Sequence, residues 1–172
     1  MFKYLIQDLS VVLKYIPFVL MIGVCLFCIV QIMNKKGKKK GKEPLSVWPS
    51  VWFWTYLALV FMITFLSRES GDSTGVDLEL GASLRINARN NALVLENVLL
   101  FIPYGFCYCW WIKGKSIFLT SIMVGCVTSL IIEGMQLVTG RGIFQLDDII
   151  TNTLGCIVGA IIYKLCCVLF RR

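Results

Sequence analysis

The sequence predicts an all-α fold, a polytopic integral membrane bundle of five transmembrane helices with the N-terminus outside and the C-terminus cytoplasmic. Two observations lead to this fold class. Hydrophobic residues make up 58% of the 172 residues, and they fall in five runs that are each long enough to cross a hydrocarbon core of about 30 Å. Basic residues concentrate in the connectors between these runs, as they do in cytoplasmic loops. We therefore expect a single membrane domain over residues 1–172.

The first apolar run, Leu9–Met33, is too long for the core of a signal peptide and lacks a small-residue cleavage site after it, so we expect it to remain in the mature protein. The next segment, Asn34–Lys42, contains six lysines and no acid. Short lysine-rich connectors stay in the cytoplasm, which places the start of the first helix outside. The net charge of +7 would also suit nucleic acid, but no aromatic or folded platform accompanies the lysines, so nucleic acid is not an expected partner.

The second run is Val47–Leu66, with tryptophans at its cytoplasmic end that are typical of membrane interfaces. A polar outside segment, Ser67–Asn91, follows it. The third run, Ala92–Trp111, contains Pro103 and Gly105, and we expect a kink there whose freed backbone groups bond to neighbouring helices.

The fourth run, Ser116–Val138, begins after two cytoplasmic lysines. An outer turn, Thr139–Leu146, separates it from the fifth run, Asp147–Phe170, which ends in two arginines. Three separate basic clusters therefore indicate the same orientation. Small-residue spacings in the last two runs, Gly125-x-x-x-Ser129 and Gly155-x-x-x-Gly159, predict that these two helices pack closely against each other.

Some chemistries are disfavoured by composition. The chain has no histidine, which removes the commonest general base and the commonest zinc ligand. All eight cysteines lie in predicted membrane runs, where free thiols are the default, and Cys25-x-x-Cys28 has a redox spacing but no charged neighbours. We therefore expect neither a metal nor a cofactor.

Polar residues from three helices lie at a similar depth near the outer side. They are Glu96, Asn97, Glu133, Gln136, Asp148 and Asn152. Arg141 lies in the outer turn and Asp147 begins the fifth run. The spacing of Asp148, Asn152, Gly155 and Gly159 puts these four on one helix face. This convergence predicts a shared site open to the outer surface. An alternative is that the amides and acids only hydrogen-bond between helices, each contributing on the order of 1 kcal/mol.

The third run also carries a family signature. The segment Asn97-Val-Leu-Leu-Phe-Ile-Pro103-Tyr-Gly105 resembles the N-x-L-x-F-x-P-x-G signature of VanZ-like membrane proteins. The pattern continues in order with Ser129, Glu133-x-x-Gln136, Arg141 and Asp147-Asp148-x-x-x-Asn152-x-x-Gly155, followed by Gly159. The motifs span about 90–169, within a VanZ-like core of about 47–170. At the turn, Gln145 and Leu146 stand where other members place a further acid.

The founding member of that family is associated with resistance to the glycopeptide teicoplanin at the bacterial cell envelope. The resemblance therefore implies a multi-pass protein of the bacterial cell membrane whose partners are membrane lipids, with a lipid-linked envelope component or a glycopeptide as a candidate ligand. The favoured hypothesis is a non-enzymatic envelope protein that lowers susceptibility to such antibiotics through the polar site. The alternative is an intramembrane enzyme that modifies a phospholipid or a lipid-linked cell-wall precursor, with clustered acids as acid and base and Arg141 holding phosphate.

A third hypothesis, a transporter with a carboxylate relay, is disfavoured. No acidic or basic residue occurs between Glu96 and Lys113 or between Lys115 and Glu133, so a proton path would lack its cytoplasmic half.

Overall fold

The fold is a bundle of five membrane-spanning helices, as the sequence predicted. A computed structural model of the chain describes residues 2–66, 71, 73–81, 88–112 and 116–170. Within these residues, five helices are long and apolar enough to cross a membrane. In a bilayer every backbone N–H must bond within its own segment, which is why each apolar run forms a helix. The helices are α1 Phe2–Lys38, α2 Val47–Phe61, α3 Ala88–Ile112, α4 Ile117–Val138 and α5 Leu146–Leu169.

Helix α1 is the least embedded in the bundle. Most of its apolar side chains are exposed and would face lipid, and its main neighbour is α2. A close approach occurs at Gly23, where an added β-carbon would lie 3.3 Å from the Thr55 hydroxyl oxygen. The rings of Phe27 and Trp48 stand 5.5 Å apart near the other end of this contact.

Helix α3 lies at the centre of the bundle, packed against α5, α2 and α4. An aromatic core joins it to α2, where the rings of Phe53 and Trp111 stack at 4.9 Å. The helix runs without a break through Pro103. In the turn before that proline, the carbonyl oxygen of Leu100 accepts a hydrogen bond of 2.8 Å from the Tyr56 hydroxyl of α2. The carbonyl that the proline leaves without a helical donor is that of Leu99, so its bonding to a neighbouring helix stays a prediction.

The last turn of α2 changes to a π-helix over Met62–Leu66. A π turn shifts the hydrogen-bond ladder by one residue and is frequent at functional sites. Thr64 and Phe65 lie at the end of this helix, where carbonyl groups lack helical donors, and their carbonyl oxygens accept bonds from side chains of the last helical hairpin.

Two connectors at one end of the bundle form a small parallel sheet that the sequence analysis did not predict. Strand β1 is Ser73–Asp77, and β2 is Arg141–Gln145, within what was expected to be only a turn. Ser73 pairs with Arg141, and Asp77 pairs with Gln145. Just before the strands, the Gly71 N–H donates to the carbonyl of Gly140 at 2.8 Å. The pairing joins two connectors that are distant in sequence.

We call this end of the bundle the sheet end, and the end that carries residues 34–42 the lysine end. Which end faces the cytoplasm stays a prediction from the charge distribution. The lysines before α4 and the two C-terminal arginines, on which that prediction partly depends, lie outside the described residues. So does much of the polar segment between α2 and α3, although its described part forms β1.

Candidate functional site at the sheet end

Helices α3 and α5 meet through glycines. A β-carbon added to Gly155 would lie inside van der Waals contact with the Val98 carbonyl oxygen and 2.9 Å from the β-carbon of Phe101. At Gly159 the same addition would come within 2.8 Å of the Phe106 backbone nitrogen. The two backbones therefore approach more closely than any side chain would permit.

The contact is reciprocal, because a β-carbon on Gly105 of α3 would lie 2.9 Å from the α-carbon of Cys156 on α5. The sequence analysis paired Gly155 and Gly159 with the fourth helix, and for these two residues that pairing is wrong. Gly125 of α4 does pack against α5 as predicted, since its added β-carbon would lie 2.8 Å from that of Cys156.

The glycine face of α5 continues towards the sheet end with two polar residues. Asp148 is 7% exposed and Asn152 is 3% exposed. The side-chain nitrogen of Asn152 donates to the hydroxyl oxygen of Ser129 on α4 at 2.8 Å. Its side-chain oxygen is buried and has no hydrogen-bond partner among the described residues. An acceptor thus remains available beside a buried carboxylate.

Glu133 of α4 is only 2% exposed, and its carboxylate is used structurally. One carboxylate oxygen, Oε2, accepts a hydrogen bond of 3.0 Å from the backbone N–H of Gln145, the residue that precedes α5. This bond joins the end of β2 to α4. Because Gln145 takes part through its main chain, the bond does not depend on which side chain stands at that position.

Gln136 and Arg141 both bind the π turn of α2. The Gln136 side-chain nitrogen donates to the carbonyl of Thr64 at 2.8 Å. The Arg141 guanidinium donates to the carbonyl of Phe65 at 3.1 Å and lies 4.8 Å from the centre of its ring, a cation–π contact. These side chains tie α4 and β2 to the end of α2.

Asp147 connects α5 to the other strand connector, because its carboxylate oxygen accepts a bond of 2.9 Å from the Gly81 N–H. Glu96 and Asn97 are half-buried on α3, directly before Val98, whose carbonyl faces Gly155. They therefore lie one turn or less from the level at which α3 and α5 meet.

Six of the eight residues predicted from sequence separate into two sets. Glu133, Gln136, Arg141 and Asp147 bind main-chain groups and close the sheet end. Asp148 and Asn152 lie on the inner face of α5, with Ser129 beside them.

The opening to the outer surface stays a prediction, and each of the four most buried side chains of the set is less than one-tenth exposed. The reason is that main chain from β2 and from the end of α2 bonds directly to two of them. The four are Glu133, Gln136, Asp148 and Asn152. Among the described residues, no group of three or more Cys, Asp or Glu side chains is placed to hold a metal ion.

These features define a class: a small polytopic membrane protein with a buried polar face where two helices end beneath a two-stranded sheet. The sequence matches the VanZ/LLP1 family over residues 53–169, and the chain belongs to this family. The match runs from within α2 to the end of α5 and includes every polar residue of the candidate site, so the resemblance found in the motifs is confirmed. Comparison with curated proteins and with solved structures gives no match.

Proposed function

We propose that this VanZ/LLP1 family protein binds a donor-bearing headgroup of a lipid-linked envelope component at Asp148 and Asn152, and that it thereby lowers susceptibility to lipoglycopeptides such as teicoplanin. Donor-bearing here means a group with hydroxyl or ammonium hydrogens. The single observation that carries the proposal is the buried side-chain oxygen of Asn152, which has no hydrogen-bond partner in the described part of the chain.

A buried acceptor without a donor costs about 1–3 kcal/mol, and a ligand that supplies the donor recovers this free energy. Asp148 precedes Asn152 by one helical turn on the same face and brings a carboxylate, which only accepts hydrogen bonds when ionised. The Asn152 acceptor beside this buried acid favours a ligand that presents hydrogen-bond donors. The surrounding side chains are held by main-chain bonds, which supports a preorganised site.

The depth of the site supports a ligand anchored in lipid. Asp148 lies in the first turn of α5, and Asn152 is one turn farther along, about 6 Å at 1.5 Å per residue. This is the level at which the headgroup of a membrane-anchored molecule meets the helix ends. Burial of both side chains supports entry between helices from the membrane.

The alternative is an intramembrane enzyme, for which the presence of two buried carboxylates, Glu133 and Asp148, on adjacent helices is the favourable observation. Two contacts disfavour the enzyme. One carboxylate oxygen of Glu133 accepts a hydrogen bond from a backbone N–H, and Arg141, which was predicted to hold phosphate, binds the end of α2 instead. The non-enzymatic proposal therefore fits the contacts better.

The test uses two neighbouring acids that make different contacts. A host that expresses the wild-type protein, Asp148→Asn or Asp147→Asn is scored for teicoplanin susceptibility, with abundance measured by immunoblot. We expect Asp148→Asn to lose protection at normal abundance, because the amide replaces an acceptor oxygen with a donor. Asp147→Asn should retain protection, because its amide oxygen still accepts from Gly81.

Full protection by Asp148→Asn would refute the proposed site. Lipid and cell-wall precursor profiles of cells with and without the protein separate the two functions. A species whose amount depends on the protein and disappears with Asp148→Asn would favour the enzyme, and unchanged profiles would favour binding.

A further inference from the structure

The lysine end has an ordered connector that the candidate site does not involve. Helix α1 continues into the lysine run as far as Lys38, and Gly41 then adopts a left-handed conformation with φ of +68°. The N–H groups of Lys40 and Lys42 both donate to the carbonyl of Gly37, at 2.8 and 3.0 Å. The run is thus a compact turn on the end of the helix.

One side chain closes the base of this turn. The Asn34 side-chain nitrogen donates to the Leu45 carbonyl at 3.0 Å, and its oxygen accepts from the Leu45 N–H at 2.8 Å. The two bonds satisfy both backbone groups of Leu45 and hold it next to Asn34, eleven residues earlier in the chain. We call the closed segment 34–45 the lysine loop.

The lysine loop concentrates positive charge. Its lysines are all exposed, and Glu43 is its only acid. Like charges three or four residues apart on a helix repel, so Lys35 is disfavoured next to Lys38 and Lys39. A fold that confines these six charges to one short loop is stabilised when an anion lies beside them. The lysines are Lys35, Lys36, Lys38, Lys39, Lys40 and Lys42.

The position of the loop relative to the bilayer identifies the kind of anion. The apolar stretch from Val12 to Met33 extends about 33 Å at 1.5 Å per residue, which matches a hydrocarbon core of about 30 Å. The lysine run, which starts at Lys35, therefore lies at the level of the lipid headgroups. An open groove there is lined by Ile32 and by four lysines, Lys35, Lys36, Lys38 and Lys39.

We propose that the lysine loop is a preorganised binding site for the headgroup of an anionic phospholipid. The phosphate lies among the lysines of the groove, and the adjoining acyl chain runs along α1 past Ile32. Lysine clusters at the headgroup level attract anionic lipid. The Asn34 bonds to Leu45 fix the conformation of the loop without adding charge. They therefore distinguish a preorganised lipid site from a flexible lysine segment that attracts anionic lipid only through its net charge.

The test is native mass spectrometry of the full chain in detergent, titrated with phosphatidylglycerol or phosphatidylcholine of equal chain length. We expect preferential binding of phosphatidylglycerol that weakens as salt is raised. The combined change Lys35→Gln, Lys38→Gln and Lys39→Gln should weaken that binding by at least about tenfold. The matched control, Lys3→Gln, Lys14→Gln and Lys164→Gln, removes the same charge elsewhere and should leave it within about twofold.

Two further variants test preorganisation with every lysine retained. Asn34→Ala opens the base of the loop, and Gly41→Val strains its left-handed turn without touching Asn34. Each should weaken phosphatidylglycerol binding by about threefold or more, while the thermal midpoint of the lipid-free protein confirms folding. Wild-type binding by both variants would overturn the proposal in favour of diffuse charge attraction.

Two more outcomes would also overturn it. Equal affinity for glycerol 3-phosphate would identify a site for free phosphate esters rather than for lipid. Binding of a short RNA oligonucleotide without preference between the two lipids would identify a nucleic-acid surface.

Discussion

The carbonyl oxygen of Val98 and the α-carbon of Gly155 face each other so closely that a single methyl group would not fit between helices α3 and α5. This contact sets the position of α5 along α3, and with it the position of the α5 residues nearer the sheet end. Asn152 lies one turn nearer the sheet end, where its amide donates to Ser129 of α4. The packing contact and the candidate site are therefore parts of one arrangement.

The first prediction concerns that contact. Gly155→Ala and Gly159→Ala should each lower the free energy of unfolding by about 1–3 kcal/mol, because the added methyl group overlaps backbone that cannot move aside. The measurement is the thermal midpoint in detergent together with folded yield in membranes.

Gly134 in α4 is the matched control, since an added β-carbon there meets nothing within 4 Å. Gly134→Ala should be neutral or stabilising by up to about 1 kcal/mol, because alanine favours the helix. Wild-type stability of Gly155→Ala would show that α3 and α5 do not meet through this glycine.

The second prediction concerns the attachment of α4 to the π turn of α2. Gln136→Glu keeps the size of the side chain but removes the donor to the Thr64 carbonyl, so two acceptors would then face each other. We expect a loss of at least about 1–3 kcal/mol in the free energy of unfolding. Hydrogen exchange of the Met62–Leu66 amides should also become faster.

Asn91→Asp makes the same change from amide to acid at an exposed position on α3 and should have little effect on either measurement. If Gln136→Glu is as stable as this control, the bond to Thr64 does not stabilise the bundle.

The third prediction is the orientation of the bundle. A membrane-impermeant thiol reagent should label Thr139→Cys or Val76→Cys in intact cells, but should label Lys40→Cys only after lysis. The reason is that the lysine end should stay in the cytoplasm. The parent protein, with its own cysteines, provides the background. Labelling of Lys40→Cys alone in intact cells would reverse the orientation.

The fourth prediction concerns the contribution of exposed and buried cysteines to stability. Cys25 and Cys28 are exposed free thiols on α1, so their replacement by alanine should change the free energy of unfolding by less than about 0.5 kcal/mol under reducing or oxidising conditions. Cys156 is fully buried, and its thiol donates to the carbonyl of Ser121 at 3.1 Å.

Cys156→Leu should therefore destabilise the protein by about 1–3 kcal/mol through overpacking. Thermal midpoints of the three variants provide the measurement. An oxidant-dependent midpoint in the wild type that is lost in Cys25→Ala would instead indicate a redox role for the pair.

The five helices were predictable because apolar length alone determines them in a bilayer, and their ends differ from the predicted ends mainly at α1, where the lysine run continues the helix. The burial of Glu133 with Gln136 on one face of α4, and of Asp148 with Asn152 on one face of α5, was also predictable, because helical spacing fixes the face of each residue.

The missed features all depend on backbone from elsewhere in the chain. No residue type in Met62–Leu66 predicts a π turn. Strands β1 and β2 are too short and too far apart in sequence for an alternation of apolar and polar residues to reveal a parallel pair. The partner of a glycine is likewise set by the tertiary arrangement. Spacing placed Gly155 and Gly159 on one face, but could not tell that α3 would occupy it.

The parallel pairing of β1 with β2 has a consequence for biogenesis. During synthesis β1 is made after α2, whereas its partner follows α4, so two further spans must be inserted before the pair can form. An isolated pair of five-residue strands is too small to persist without help from packed helices. The segment that includes Gly81 must therefore wait, without its bond to Asp147, until the translocon has released most of the chain. A ribosome stalled before α5 would leave a nascent protein with most of its spans in the membrane and no polar site.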